Sequence, residues 1–282
     1  MADTVHCLSA EFPEDRVDEL FEYVDPDWNP TSHLDLEMQK CRVSFFTEDA
    51  AELPALRASV QGVFALMGVN ASLDAFEVAR EDWAESWKRY FHVEKVSDRL
   101  VVRPSWESYE PQPGERVMVL DPGMCFGTGK HETTRCCLQY LDRLAAENAD
   151  RVVLDMGCGT GILSIAARLL GFRHVLAFDI DPDCIPSTRE NARRNGVELS
   201  VQVGDLSQAW PKCDVVVANI LAPILIEFSA TVTASVKPGG RLILSGILDS
   251  QYADVKHAYV ARGARELDSL QIGEWRAGLF TV

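Results

Sequence analysis

The strongest constraint on this sequence is the glycine-rich turn at residues 155–161, Asp-Met-Gly-Cys-Gly-Thr-Gly. It follows a predicted buried strand at 152–156 and opens a predicted helix at 162–170. Glycines at such a junction allow a tight turn and let a ligand approach the backbone. A nicotinamide-binding turn needs Gly-x-Gly-x-x-Gly, and its third glycine would fall where Ile162 stands. Asp155 would also suit a cationic ligand better than a pyrophosphate.

Regular alternation of strand and helix patterns continues after this turn. Further strands are predicted at 174–178, 199–203, 214–218 and 241–244, with helices at 183–195, 223–236 and 252–262. Alternation of this kind predicts a doubly wound α/β domain, with a parallel sheet and helices on both faces. Ligands of such sheets bind at the carboxyl ends of the strands.

The first 75 residues have a different pattern. A strand at 4–12, a helix at 14–24, one or two strands at 33–47, a helix at 50–67 and a strand at 71–78 predict a small ferredoxin-like α+β domain. An aromatic-rich amphipathic stretch at 81–91 predicts a connecting helix, and short strands are predicted at 99–103 and 116–120. We therefore divide the chain into an acidic domain at 1–75, a linker at 76–95 and a catalytic domain at 96–282.

Charge separates the two predicted domains. The formal net charge is −16, and residues 1–75 hold 15 of the 43 acidic residues but only 4 of the 27 basic ones. A negative surface repels nucleic acid and attracts basic partners, although solubility alone would explain it equally well. No apolar run is long enough to span a bilayer, and the N-terminus lacks a secretory pattern, so we expect a cytoplasmic protein without a membrane or nucleic-acid site.

The eight cysteines contain no Cys-x-x-Cys pair. We interpret them as small buried apolar residues in a reducing compartment, with no disulfide and no metal site.

Carboxylates follow two of the predicted strands. Asp179 can accept both ribose hydroxyls of an adenosine, a device that nicotinamide enzymes also use. Asp205 could reach the adenine amino group or could be a solvated loop acid. Asp181 is better explained as the cap of the next helix. With the turn at 155–161, which includes Gly157 and Gly159, these residues predict S-adenosylmethionine as the ligand.

Asn219 ends the fourth strand of the alternating region, where the transferred methyl group would lie. Enzymes that methylate bases or amides carry an aromatic residue in the tetrad here, and residues 219–222, Asn-Ile-Leu-Ala, have none. An aliphatic amine is therefore the better acceptor, with Asn219 orienting it. Alternatively, Asn219 only closes a turn.

Residues 121–134 at first suggest a phosphate loop. The pattern fails in either register: counted from Gly123 it needs glycine at Thr128, and counted back from Gly129 and Lys130 it needs serine or threonine at His131. A polar loop before a helix can instead cover a ligand, and Thr134 can donate its hydroxyl. His131 alone would more often be structural.

Four segments together resemble the PrmA family of bacterial ribosomal-protein methyltransferases. They are residues 121–134, 155–161, 178–182 and 218–222, and the segments 81–92 and 104–106 are also similar to that family. The resemblance covers roughly residues 80–250. It implies a seven-stranded Rossmann-like sheet in which Thr134, Gly157, Asp179 and Asn219 contact S-adenosylmethionine, with a loop from Phe126 to His131 closing over it.

The resemblance also implies a substrate, the eleventh protein of the large ribosomal subunit. Lysine ε-amines, the N-terminal α-amine or both would be methylated, and the acidic N-terminal domain would hold this basic protein. Lys130, Glu132 and the C-terminal residues 273–282 depart from the family pattern, which leaves the finer substrate choice open. There are two alternatives: the protein is a lysine methyltransferase that acts on a different basic protein, or it is a non-enzymatic adaptor. The intact glycines, Asp179 and Asn219 argue against an adaptor.

Overall fold

The computed structural model of this protein describes residues 4–13, 16–25, 28, 30–35, 40–79, 91–121, 125 and 131–282. The chain divides into two compact units, Met1–Tyr90 and Phe91–Val282. Among the described residues, no helix combines the length and the apolar character needed to cross a membrane.

The described residues of the first unit form one antiparallel sheet and two α-helices. Its elements are β1 (Thr4–Phe12), α1 (Val17–Tyr23), β2 (Thr31–Asp35), β3 (Lys40–Thr47), α2 (Leu53–Leu66) and β4 (Asp74–Ala79). The strand order is β2-β3-β1-β4. The region predicted to hold one or two strands therefore holds two, and β4 runs past residue 75.

Alternating apolar residues explain this packing. Leu8, Ala10 and Phe12 of β1 point into one buried core. The helix α2 buries Leu56, Val60, Val63 and Phe64, a spacing that places them on one face. The ring of Phe64 lies 5.2 Å from that of Phe12 between ring centroids.

The second unit begins with a small sheet of β5 (Glu94–Lys95), β6 (Leu100–Arg103) and β7 (Arg116–Val119), in the order β5-β6-β7. The helix α3 (Glu132–Glu147) is joined to this sheet through Asp142, which is 5% exposed. The Asp142 carboxylate accepts hydrogen bonds from the Arg99 guanidinium (2.6 Å), the Arg99 backbone (3.0 Å) and the Ser97 hydroxyl (2.7 Å). The predicted connecting helix at 81–91 lies outside the described residues except for Phe91.

The main sheet has seven strands. They are β8 (Val152–Met156), β9 (His174–Asp179), β10 (Ser200–Val203), β11 (Cys213–Asn219), β12 (Val236–Leu248), β13 (Arg265–Ile272) and β14 (Trp275–Thr281), in the order β10-β9-β8-β11-β12-β14-β13. The five strands from β10 to β12 are parallel, and β14 pairs antiparallel with both neighbours. The prediction of an α/β sheet is confirmed, but the sheet is mixed rather than wholly parallel.

Helices cover both faces of the main sheet. After α3 they are α4 (Ile162–Leu169), α5 (Cys184–Arg194), α6 (Ala222–Glu227), α7 (Ser229–Ala234) and α8 (Asp249–Val260). Successive residues of β11 enter opposite cores: Val215 and Val217 pack with α3 and α4, while Val216 and Ala218 pack with α6 to α8. Strands buried on both faces read as continuous apolar runs, which is why the sequence reveals them.

Three predictions need correction. The helix predicted at 223–236 is two helices, because Phe228 leaves helical geometry and caps both. The strand predicted at 241–244 runs from Val236 to Leu248 and includes the Pro-Gly-Gly sequence at 238–240. The cysteines are also not all unpaired, since Cys125 and Cys184 form a disulfide.

Candidate functional site

A cavity of about 800 Å³ opens where β8, β9 and β11 end. Its wall includes six of the residues chosen from the sequence, which are His131, Gly157, Gly159, Asp179, Asp205 and Asn219. Separate segments of the chain supply these residues, and the parallel sheet brings them together because its strands end at one edge.

The glycine-rich turn forms one wall of the cavity. Gly157 and Gly159 have φ angles of 76° and 53°, in the left-handed region that favours glycine. A Cβ atom added to Gly157 would lie 2.9 Å from Cγ2 of Ile220. The Gly157 amide donates to the carbonyl of Phe178 at 2.9 Å, which fixes the turn against the end of β9. The turn therefore presents backbone, without side chains, to the cavity.

Asp179 is held rigidly at the end of β9. Its Oδ2 accepts from the backbone N–H of Gly159 at 2.7 Å, and its Oδ1 accepts from that of Asp181 at 3.0 Å. Each carboxylate oxygen keeps further acceptor capacity, so both can still bind hydroxyl groups. Asp181 itself accepts from the backbone N–H of Asp183 at 2.9 Å, but Asp183 is the N-cap of the next helix, so the expectation that Asp181 caps it is wrong.

Asp205 lies on the wall but uses its carboxylate in a local turn. Its Oδ1 accepts from the backbone N–H of Ser207 at 2.7 Å and from the Ser207 hydroxyl. The Ser207 hydroxyl, helped by backbone N–H groups, holds the pKa of Asp205 below its usual value. Its backbone carbonyl accepts from the Trp210 indole at 2.9 Å, and that ring stacks on Phe178 with 3.9 Å between centroids.

Asn219 has one side-chain atom that is bonded and one that is not. Its Nδ2 donates to the Thr134 hydroxyl at 3.4 Å, whereas its buried Oδ1 has no hydrogen-bond partner among the described residues. Thr134 is fully buried and does not line the cavity. The hydroxyl of Ser245 donates to the Thr133 carbonyl at 3.0 Å, which ties the first turn of α3 to β12. Thr134 thus stands behind Asn219 and positions it.

His131 caps α3 and meets an aromatic residue that the sequence did not reveal. Its Nδ1 accepts from the backbone of Thr133 at 3.3 Å. Its ring contacts Trp275 edge to face, with 4.9 Å between centroids. Trp275 lines the cavity from the start of β14. The strand β14 was not predicted, so no sequence signal placed Trp275 near the site.

Asp155 lies behind the cavity rather than on its wall. It is fully buried, and its Oδ2 accepts from the Ser164 hydroxyl at 2.6 Å. Burial raises the pKa of Asp155 to about 7, although the hydrogen bonds from Ser164 act in the opposite direction. Asp155 therefore does not contact the cavity directly, and any interaction of its carboxylate with a cationic ligand there would be indirect.

Two predicted site residues, Phe126 and Thr128, lie outside the described residues. The described part of the chain contains no group of three or more histidine, cysteine or carboxylate side chains that could hold a metal ion. The cavity also has an apolar rim that the sequence did not single out, in which Ile180, Leu221 and Ile224 are 74%, 62% and 39% exposed.

These residues fit S-adenosylmethionine. The glycine turn leaves room for a ligand against its backbone, and Asp179 offers two fixed acceptors at the mouth of β9. The unpartnered Oδ1 of Asn219 provides a further acceptor at the end of β11. A cavity of about 800 Å³ lies within the usual size range of small-molecule sites.

Comparison with known proteins identifies the family. Residues 6–280 match the family described as ribosomal protein L11 methyltransferase (PrmA). A ribosomal protein L11 methyltransferase from Exiguobacterium sp. is 38% identical over 268 residues, which cover 94% of this chain and 84% of that protein. One from Symbiobacterium thermophilum is 45% identical over 197 residues, covering 68% of this chain but only 64% of that protein's length.

A solved structure agrees with these relatives. The crystal structure of a ribosomal protein L11 methylase from Lactobacillus delbrueckii subsp. bulgaricus is 33% identical and has a TM-score of 0.60. The similarity covers 68% of this chain and 98% of that one. The chain therefore belongs to the ribosomal protein L11 methyltransferase (PrmA) family.

Proposed function

We propose that this protein transfers methyl groups from S-adenosylmethionine to amines of ribosomal protein L11, namely lysine ε-amines, the N-terminal α-amine or both. The observation that carries the proposal is the convergence of the glycine turn, Asp179 and Asn219 on one cavity in a chain of this family. Modification of a ribosomal protein would place the enzyme in the cytoplasm.

We assign the two ends of the cavity by their chemistry. Asp179 would bind the ribose hydroxyls, since both of its oxygens are already oriented by backbone N–H groups. Gly157 and Gly159 would lie against the amino-acid part of the cofactor. Asn219 would face the acceptor amine, because its Oδ1 is the unpartnered polar atom at the end of β11. When bound, the cofactor supplies an electrophilic methyl group on a sulfonium.

The amine must be neutral to react. A lysine with a pKa near 10.4 is neutral in about one molecule in a few thousand at pH 7, a shortfall worth roughly 4–5 kcal/mol. When the lysine amine is removed from water and lies beside a positive charge, its pKa falls, and part of this free-energy shortfall is recovered. The apolar rim of Ile180, Leu221 and Ile224 would exclude water from the acceptor. Asn219 cannot act as a base, so its amide oxygen would orient the amine by accepting its N–H.

The first unit would hold the substrate. Its element order β1-α1-β2-β3-α2-β4 and strand order β2-β3-β1-β4 support a ferredoxin-like domain. Its excess of acidic residues is complementary to a basic ribosomal protein.

The deciding experiment is transfer of tritiated methyl groups from S-adenosylmethionine to purified ribosomal proteins. Label in L11 alone supports the proposal, and label in another basic protein supports the closest alternative. No label, with cofactor still bound, would instead indicate a non-enzymatic adaptor. Mass spectrometry of labelled L11 would then identify the modified amines.

A further inference from the structure

Two cysteines meet on the wall of the cavity. Cys125 and Cys184 both line it, and they form a disulfide whose Cα atoms are 5.8 Å apart. This separation lies within the range of ordinary disulfides, so neither backbone has to move for the bond to form. The two cysteines are 59 residues apart in sequence, which is why sequence spacing gave no sign of the pair.

We propose that Cys125 and Cys184 are a redox modification site, at which a small-molecule disulfide oxidises the thiol pair and thereby tightens cofactor binding. This inference rests on the proposed function, since it takes the cavity to be the cofactor site. Two thiols and one small-molecule disulfide give the Cys125–Cys184 disulfide and two small-molecule thiols. The first exchange forms a mixed disulfide and releases one thiol, and attack by the second cysteine releases the other.

Cys184 is buried like the other described cysteines, so the pair differs from them through Cys125. Cys7, Cys136, Cys158 and Cys213 are buried, and burial raises the pKa of their thiols to about 11, 11, 12 and 11. A thiol reacts as the thiolate and needs access to the oxidant, so these four are poor targets. Cys125 is only half-buried and faces a cavity that a ligand must enter. Oxidation would therefore be selective for the pair.

The disulfide joins two parts of the cavity wall. Cys184 begins α5, and the chain just before it carries Asp179 and Asp181 on the same wall. Cys125 precedes His131, which caps α3 and also lines the cavity. With the bond formed, Cys125 is fixed to the first turn of α5, so less freedom remains to be lost when a ligand binds. The oxidised protein should hold the cofactor more tightly.

The test compares the whole protein equilibrated with oxidised glutathione or with dithiothreitol. Peptide mapping should find the Cys125–Cys184 bond only after oxidation. Calorimetric titration with S-adenosylmethionine should give a dissociation constant about fivefold lower for the oxidised form, the size expected from ordering one or two side chains. The variants Cys125→Ser and Cys184→Ser should lose this response to oxidation, and Cys213→Ala, which is remote from the cavity, should keep it.

The outcomes separate the two proposals. Failure of the bond to form, equal cofactor affinity in both redox states, or weaker binding after oxidation would overturn the redox site and leave the proposed function standing. If Cys213→Ala also lost the change in cofactor affinity on oxidation, the redox site would again be overturned, because the change would then not depend on Cys125 and Cys184 alone. Absence of cofactor binding in both redox states would overturn the proposed function together with this inference.

Discussion

Asn219 is half-buried at the end of β11, with its amide nitrogen bonded to Thr134 and its amide oxygen unpartnered among the described residues. The amide nitrogen thus holds the side chain, and the amide oxygen at the end of β11 is left to orient the amine in the proposed reaction. We expect Asn219→Ala to lower kcat by about 100-fold, the order of magnitude for a misplaced reactant. Binding of S-adenosylmethionine, measured by calorimetry, should weaken only a few-fold. Equal losses in both would contradict the orienting role.

Thr134 offers a matched test of the same contact. Thr134→Val keeps the shape of the side chain and removes the hydroxyl that holds Asn219. The Thr134 side chain is fully buried and does not line the cavity. Removal of its hydroxyl should therefore reduce kcat less than Asn219→Ala does. Single-turnover rates for both variants would establish the order, and a larger effect at Thr134 would mean that it contacts the cofactor directly.

Asp155 should make stability depend on pH. Its pKa is about 7 in the folded protein against 3.8 for the ordinary group, so the unfolded chain releases this proton at lower pH than the folded protein does. The contribution of Asp155 to stability is therefore present below about pH 4 and is lost as pH rises from about 4 to about 7. In thermal melts, the Tm of the wild type should fall relative to that of Asp155→Asn as the pH rises through this window. A constant difference in Tm would show that the carboxylate stays in one protonation state.

Single residues also show what a sequence can and cannot reveal. Gly157, Asp179 and Asn219 were identifiable because each ends or directly follows a strand made mostly of apolar residues. Trp275 was not, because its position depends on β14 pairing with β12, a contact between distant parts of the chain. The cysteine pair was missed for the same reason. Asp155 was predicted to lie in the site because it is next to the glycine turn in sequence. Successive side chains of a strand point to opposite faces, however, and that of Asp155 is buried in the core.

At the scale of elements, the glycine turn joins β8 to α4. We expect Gly157→Ala to destabilise the protein by about 1–3 kcal/mol, because it forces a side chain into a left-handed conformation. The new Cβ would also meet Ile220, so cofactor binding should weaken. Gly62→Ala is the control: it lies within α2, where an added Cβ meets no described atom within 4 Å. It should stabilise the helix by about 0.5–1 kcal/mol in urea unfolding.

The junction between the small sheet and α3 allows a second comparison of elements. Asp142→Ala removes a buried carboxylate that accepts three hydrogen bonds and should cost about 2–4 kcal/mol, measured by denaturant unfolding. Asp268→Ala breaks the Arg143–Asp268 ion pair, whose side chains are 53% and 37% exposed. That change should cost less than about 1 kcal/mol. Similar losses for both would show that Asp142 is not a structural anchor.

Elements were predictable where the apolar pattern was regular. The helix before β9 and the helix before β10 are each followed closely by a glycine with positive φ, Gly171 and Gly196, and glycine at this position is a sequence signal for a helix end. The split at Phe228 has no such signal, since helix patterns continue across it. The antiparallel strands β13 and β14 carry charged and glycine residues, so neither resembles the apolar parallel strands that precede them.

For the whole molecule, the uneven charge predicts a dependence on salt. The net charge of −16 is concentrated in the first unit, and attraction of a basic substrate is screened beyond about 8 Å at physiological ionic strength. Raising sodium chloride from low to high concentration should therefore increase KM for L11 several-fold. KM for S-adenosylmethionine should change little, since this small ligand has a low net charge and is held by short-range contacts. A KM for L11 that does not respond to salt would argue against electrostatic recruitment.

The position of β14 has a consequence for how the protein is made. Although β14 comes last among the strands, it lies between β12 and β13 in the sheet. During synthesis β13 leaves the ribosome first and has no neighbouring strand until β14 is inserted beside it. The nascent chain must therefore keep an open sheet edge at β12 until the final strand emerges. Folding of the second unit therefore cannot be complete before β14 has emerged, and until then the exposed edge is a natural target for chaperones.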